Sequence, residues 1–370
     1  MGYYNRSIIL GANVKRSLDE RIQDKVQTLF GKPARMARLV PLAGDASSRR
    51  YHRALLEGPS VPPSVVIMEL AGNSLPLSSE ELGVFQEPLK ELLFLNLHRF
   101  FKSVGVRVPA LYGSWIEEGI LVLEDLGDRS LWEQVQGLPA AEVIHWYEKA
   151  IDQLLLIQVR GTLNRDESCI AFQQRFDFRL YMWEFDHFIE YGLEKRSGRG
   201  ITQAEKVFLT ESFAEMARRL ESQPPCLNHR DYHSWNLMVC REEIAVIDFQ
   251  DALLAPPQYD LASLLNDRET DLVILPDMES RLIDYYLEKR AGMGGPNLSR
   301  DEFFEIYLLS ALQRDFKVVG RFYYLDEVKG KPGYKKYIPS TLRRLKRNLH
   351  RLPYLERLVP VLAAHFEEMR

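Results

Sequence analysis

Cysteine is scarce in this sequence. Its 370 residues contain three, Cys169, Cys226 and Cys240, with no Cys-x-x-Cys spacing. An odd count without that spacing argues against a disulfide framework or a structural zinc site and fits a reducing compartment, the cytoplasm. Long apolar runs are missing too. No window approaches the ~20 residues of a membrane-spanning helix. Ser7-Ile8-Ile9-Leu10 is broken by Gly11 and Asn13 before it could form the apolar core of a secretion signal. Arg6 stands where an N-myristoylation pattern wants Ser or Thr. Neither sign of charge is in large excess: Lys plus Arg number 48 against 52 Asp plus Glu, a net −4. That leaves no basic surplus to suggest nucleic acid as a partner. Repeats and low-complexity tracts are absent. These absences describe a soluble cytoplasmic protein without membrane insertion.

What is present is an ordinary globular composition, 46% hydrophobic and 27% charged. The chain is longer than the about 250–300 residues that one core usually supports, so two lobes are expected. Arg35–Leu42, Arg50–Leu56, Ser64–Glu69, Pro109–Trp115 and Gly119–Glu124 read as strands with hairpin-type connections. One helix is expected among them, over Ser79–Ser103, from the spacing of Leu89, Leu92, Leu93, Asn96, Leu97 and Phe100. From about Asp128 the pattern turns helical. Val143, Tyr147, Ala150, Ile151, Leu154 and Leu155 form one stripe of a helix over Glu142–Val159. Further helical segments cover Phe172–Leu193 and Glu205–Leu220, and Pro224-Pro225 ends that run. Short strands and loops fill Cys226–Pro257, and helices resume from Tyr259. The expected class is α+β, with a β-rich N-lobe over residues 1–127 and a mainly helical C-lobe over 128–370.

The chemistry concentrates in one stretch. Asn228-His229-Arg230-Asp231-Tyr232-His233-Ser234-Trp235-Asn236 precedes the apolar run Leu237–Cys240, a turn at Arg241–Glu243, and Ile244-Ala245-Val246-Ile247-Asp248-Phe249-Gln250-Asp251. A loop, a strand, a turn and a second strand ending in a carboxylate bring Asp248 back alongside Asp231 and Asn236. Hard oxygen ligands suit Mg²⁺, and a free carboxylate can accept a hydroxyl proton. The order H-R-D-x-x-x-x-N, then D-F-x, is that of kinase-type phosphoryl transfer.

On these residues the chain resembles the aminoglycoside phosphotransferase and choline kinase-like enzymes. Asp248–Asp251 and Tyr259-Asp260-Leu261-Ala262-Ser263-Leu264 are similar to that group's metal segment and following helix. Gly44–Tyr51 and Leu123-Glu124-Asp125-Leu126-Gly127-Asp128 are similar to the branch of anomeric kinases of N-acetylmuramate and N-acetylglucosamine. The resemblance covers most of residues 36–350. It implies a bilobal protein-kinase-like fold, ATP and Mg²⁺ as cofactors, and an amino sugar as the small-molecule acceptor. An aminoglycoside or other metabolite as acceptor, and a nucleotide-binding pseudokinase scaffold, stand as alternatives. Residue by residue it implies Asp231 as the base and Asn236 and Asp248 as metal ligands. His229 is read as a loop anchor, and Asp260 as a structural residue capping its own helix. For the acceptor, His233, Asp251 and Arg314 are candidates, His233 being equally readable as an exposed loop side chain.

The nucleotide side departs from pattern. There is no G-x-G-x-x-G, and Val65-Val66-Ile67-Met68 carries a hydrophobic residue where the phosphate-binding lysine would stand. Asp45, Ala46, Ser47 and Ser48 are expected to bring small groups and backbone N–H donors to the phosphates. Arg49, Arg50 or Arg53 would replace the lysine, or form a solvated hairpin edge. Glu87 or Glu91 would take the role of the helix glutamate. The backbone from Glu124 to Leu126 would form the adenine-binding hinge. Between Lys329 and Arg351 lie nine Lys or Arg and no acid. Leu342, Leu345, Leu349 and Leu352 face away from Arg343, Arg344, Lys346 and Arg347, so this segment reads as a docked helix with a solvated basic face.

Overall fold

The computed structural model describes residues 16–42, 49–70, 91–196 and 200–370. Its first part runs α1 (Leu18–Phe30), β1 (Arg35–Leu42), β2 (Arg50–Glu57), β3 (Ser64–Glu69), α2 (Leu93–Ser103), β4 (Leu111–Trp115) and β5 (Ile120–Glu124). There follow α3 (Leu131–Val135), α4 (Ala140–Leu155), α5 (Phe178–His187) and α6 (Gln203–Glu221). Next come β6 (Cys226–Asn228), β7 (Leu237–Cys240), β8 (Glu243–Val246) and β9 (Leu253–Ala255). The chain ends in α7 (Gln258–Leu265), α8 (Pro276–Gly292), α9 (Arg300–Glu327), α10 (Ile338–His350) and α11 (Leu358–Ala363).

Two compact units result. One holds the described residues up to 70 together with Ala110–Asp125; the other holds 91–109 and Leu126–Arg370. The first is a five-stranded antiparallel sheet in the order β1-β2-β3-β5-β4. Alternation decides which face is buried: Ala54 and Leu56 of β2 point into the core with Val65, Ile67, Ile120 and Val122, whereas Leu55 is exposed. Helix α1 covers that face with Ile22 and Val26. It is an element the strand-dominated reading of this region did not foresee. It starts with a capping box in which Ser17 Oγ accepts from the Glu20 N–H and the Glu20 carboxylate accepts from the Ser17 N–H.

The second unit is mainly helical. The described part of the helix expected over Ser79–Ser103 begins at Leu93, and residues 71–90, with Glu87, lie outside the described residues. Helix α4 continues into a π-helical turn over Leu156–Gly161, and α5 into another over Phe188–Glu194. Helix α9 crosses the second turn closely. A Cβ on Gly320 would come within 2.8 Å of the Phe188 Cα, so glycine is required for that approach. The two short hairpins pair β6 with β9 and β7 with β8, the latter in register Leu237↔Val246.

The C-terminal helix α10 docks through Leu342, Leu345 and Leu349, all buried. One expectation fails there. Arg344 is not on the solvated face but fully buried, its guanidinium donating to Asp315 Oδ1 from Nε at 3.1 Å and from Nη2 at 2.6 Å. An acid on α9 turns the position inward, which sequence periodicity cannot reveal. Arg343 and Arg347 are exposed as expected. All three cysteines are unpaired, and no helix among the described residues is long and apolar enough to cross a membrane.

Candidate active site

The loop joining β6 to β7 is anchored at several residues. Asn228 Nδ2 donates to the carbonyls of Cys226 and Ala255, and its Oδ1 accepts from Gln158 Nε2 at 3.0 Å. His229 is fully buried, and burial lowers its pKa to about 4, so the ring is neutral. Its Nε2 lies 2.9 Å from the Ile247 carbonyl and so carries the proton. That leaves Nδ1 to accept from the Asp231 N–H at 3.3 Å. Both ring nitrogens thus engage backbone, which makes His229 a tie between the loop and the segment leading to Asp248. Tyr232 Oη donates to the Ala150 carbonyl at 2.7 Å.

Arg230 has φ +82°, in the left-handed region that costs a non-glycine residue about 1–3 kcal/mol. What stabilises it is Asp260 of α7. Its carboxylate accepts the N–H groups of His229 at 2.5 Å and Arg230 at 3.0 Å. Asp260 therefore does not cap its own helix as the sequence suggested; Pro257 occupies the cap position without a side-chain cap, and Asp260 clamps the loop instead.

Asp231 follows that strained residue with its side chain 37% exposed, and three cations stand around it. Arg314 Nη1 is 3.7 Å and Lys317 Nζ 3.9 Å from Asp231 Oδ1. Burial alone would raise its pKa, but Lys317, Arg314 and Arg230 outweigh it and hold the carboxyl well below the usual range. These cations are themselves fixed. Glu184 of α5, fully buried, receives Gln313 Nε2 at 2.6 Å, Lys317 Nζ at 3.1 Å and Arg230 Nη2 at 3.3 Å. Arg314 donates to the Arg230 carbonyl at 2.9 Å and to Tyr259 Oη at 3.3 Å. Sequence reasoning missed Glu184, and it noted Lys317 only as the end of the segment Gln313–Lys317, similar to a stretch near the acceptor cleft, without a role of its own. Gln313, Arg314 and Lys317 occupy neighbouring rows of α9, the one available signal for a polar, inward-facing stripe. Arg314, suggested as an acceptor contact, is buried and supports the loop.

Asn236 Nδ2 donates to the Asp231 carbonyl at 3.0 Å, which fixes the amide with Nδ2 toward the loop and its Oδ1 as the remaining oxygen donor. The Ile247 N–H donates to the Asn236 carbonyl, so the hairpin brings the start of β7 back to the segment after β8. Asp248 is exposed and also left-handed, φ +62°. Phe249 holds it in place: its fully buried ring stacks 5.1 Å from Phe94 and lies 5.5 Å from Phe101, both on α2. Gln250 Nε2 donates to Asp248 Oδ1 at 2.9 Å, and Asp251 is buried beside it. His233, half-buried and pushed by burial down to about 4, lies against Asn236 at 3.4 Å. No cluster of three or more His, Cys, Asp or Glu suited to a metal exists among the described residues. One amide oxygen and one solvent-exposed carboxylate are nevertheless the hard, sparse donor set that suits Mg²⁺, which keeps water and phosphate oxygens as further ligands.

In the sheet unit, Asp45, Ala46, Ser47 and Ser48 lie outside the described residues. Arg53 pairs with Asp125, Nε to Oδ2 at 2.6 Å and Nη2 to Oδ1 at 2.9 Å, and Ser64 Oγ donates to the same carboxylate at 2.6 Å. Arg49 is buried and Arg50 exposed. The Glu124 N–H donates to the Ala110 carbonyl at 2.8 Å, and Leu126 is buried. Glu91 is engaged by Arg99 and Asn96.

The profile of the phosphotransferase enzyme family matches residues 38–293. An N-acetylmuramate/N-acetylglucosamine kinase of Neisseria meningitidis serogroup B is 29% identical over 92% of this chain and 94% of its own length. One of the same name from Pseudomonas aeruginosa is 28% identical over 89% of this chain and 88% of its own. In structure, the choline kinase LicA of Streptococcus pneumoniae superposes with a TM-score of 0.57 at 14% identity, over 89% of this chain and 98% of that one. An ADP-bound aminoglycoside phosphotransferase gives 0.56 at 16% identity, over 88% and 97%.

Proposed function

Since the chain belongs to the phosphotransferase enzyme family, we propose that it transfers the γ-phosphoryl group of ATP to the anomeric hydroxyl of an N-acetylated amino sugar. The observation that carries the reading is Asp231: a part-exposed carboxylate, held ionised by cations that Glu184 and the loop backbone hold in place. The names of the curated relatives, matched over nearly their whole length, support the acceptor.

Asp231 accepts a hydrogen bond from the sugar hydroxyl, aims its oxygen at the γ-phosphorus and takes the proton as the new P–O bond forms and the bond to ADP breaks. A carboxylate with a depressed pKa is a weak base. That suits a loose transition state, in which positioning and charge neutralisation matter more than early deprotonation. A hemiacetal hydroxyl, more acidic than an ordinary alcohol, asks little of it. Asn236 through Oδ1 and Asp248 through its exposed carboxylate would hold Mg²⁺, which neutralises charge on the transferring phosphates.

Three cations beside Asp231 disfavour an aminoglycoside polycation as acceptor, because such a ligand calls for an acidic cleft. Phosphorus NMR after incubation with ATP, Mg²⁺ and N-acetylmuramate or N-acetylglucosamine tests the reading. The expected product is a phosphate coupled to the anomeric proton. No such product, with turnover of an aminoglycoside or choline, overturns it.

A further inference from the structure

Arg268 lies in the segment after α7, and its guanidinium is held by stacking rather than by hydrogen bonds. It lies 4.7 Å over the ring of Trp235, the residue immediately before Asn236 in the candidate catalytic loop, and 5.5 Å over Tyr337. Trp235 in turn stacks on Trp132 at 4.7 Å. Asp267 approaches Arg268 Nε at 3.7 Å, an ion pair beyond hydrogen-bond distance. Its five N–H donors make no hydrogen bond among the described residues, and the side chain is 15% exposed. The backbone is also constrained. Arg268 has φ +43°, a left-handed conformation for a non-glycine residue. Its carbonyl accepts from Arg344, the buried arginine locked to Asp315. The same acid, Asp267, lies 3.9 Å from Arg314, which stands 3.7 Å from Asp231. A guanidinium oriented by aromatic rings, with its donor fork unused, two side chains removed from the candidate base and stacked on the neighbour of Asn236, is organised to meet a planar anion.

We propose that Arg268 is the residue that recognises a carboxylate on the acceptor, and so selects a lactyl-bearing amino sugar over its neutral counterpart. This rests on the amino-sugar reading above. Trp235 fixes the plane of the fork, Asp267 leaves its hydrogen-bonding donors unused, and the acceptor's carboxylate binds them in pairs.

The test compares N-acetylmuramate, which carries the carboxylate, with N-acetylglucosamine, which lacks it, in wild type, Arg268→Met and Arg268→Lys. The methionine stem can still lie between the rings, and lysine keeps the charge without the fork. For Arg268→Met, kcat/KM on N-acetylmuramate should fall about 10- to 100-fold through KM, as expected for loss of a charge-assisted pair. On N-acetylglucosamine it should stay within about threefold, the scale of a residue that adds no binding energy to that sugar. Arg268→Lys should fall between wild type and Met on N-acetylmuramate alone, and it carries the test if the methionine variant does not fold. Equal losses on both sugars would make Arg268 a structural clip and overturn the inference. So would unchanged values on both, or wild-type turnover of N-acetylglucosamine alone, each leaving the amino-sugar reading intact. Wild-type turnover of neither sugar overturns that reading and this inference with it.

Discussion

The loop Asn228–Asn236 and the strand pair β2–β3 treat their charged residues in opposite ways. In the loop, cations from α9 and from the loop itself converge on Asp231 while their hydrogen bonds go elsewhere. Glu184 takes Lys317 and Arg230, and Arg314 spreads its donors over a carbonyl and a phenol. Asp231 is left with a positive surround and an open face. At the strand pair, Arg53 of β2 and Asp125, which follows β5, satisfy each other in a two-point contact. The first arrangement keeps a charge poised; the second closes two charges off. Density of ion pairs is therefore a poor guide to function, whereas an ionised group whose partners are all committed elsewhere is a good one.

Removing the poised charge should have the largest effect. Asp231→Asn is expected to lower kcat by about 10²–10⁴, the usual contribution of such groups, with an unchanged thermal midpoint. The pH profile sharpens the point. A carboxyl held below its ordinary range is ionised throughout pH 4–9, so kcat/KM should show no acid limb from Asp231 above the usual carboxylate pKa of about 4. An inflection near pH 5–6 that Asp231→Asn abolishes would mean that the cations do not hold it ionised.

Next in size is the buried support. Arg344→Met removes the cation from Asp315, an acid whose pKa burial already raises to about 6, and breaking such a buried pair typically costs about 3–5 kcal/mol. Denaturant unfolding should show that loss, and replacing both partners by apolar residues should recover much of it. If the single variant is as stable as wild type, the pair is not closed off as described.

Asp260→Asn comes third. The amide can accept one of the two loop N–H groups but presents N–H₂ to the other, an unsatisfied contact worth about 1–3 kcal/mol. Because the affected residues precede Asp231, kcat should fall more than the affinity for ATP. A fall in ATP affinity alone would detach Asp260 from the positioning of the loop.

Much of this was legible in the sequence for local reasons. Strand alternation and turn residues locate β1 to β5 within a few residues, and the segment from Asp231 to Asp248 reads as one hairpin, which the structure forms as β7 and β8. What escaped depends on contacts distant in sequence. Glu184 and Arg230 are 46 residues apart, and Arg344 and Asp315 are 29. Periodicity placed Arg344 on a wet face because a helix pattern records the residue type and not its partner. The inward role of Asp260 was hidden likewise, since an acid in a first helical turn reads as a dipole partner or cap until the neighbouring loop is known. Helix α1 is the exception. Its capping box Ser17-x-x-Glu20 and the spacing of Ile22, Val26 and Leu29 were present and went unread.

The smallest effect is expected at Arg53, the residue on which the comparison most depends. Its side chain is 18% exposed and that of Asp125 6%, and Ser64 already supplies Asp125 with a third donor. Arg53→Met should therefore cost about 1–2 kcal/mol of stability, with Ser64 left to satisfy part of the carboxylate. An arginine so committed has no fork to offer a phosphate. The KM for ATP should rise by less than about threefold, equivalent to ~0.6 kcal/mol. Asp125→Asn serves as the converse, since it frees the Arg53 guanidinium without removing its charge. Under the proposed contrast it should lower stability similarly and leave ATP affinity as it was. If instead Arg53→Met raises the KM for ATP tenfold or more while Asp125→Asn lowers it, Arg53 stands in for the absent strand lysine. The charges of the strand pair would then be poised in the same way as those of the loop.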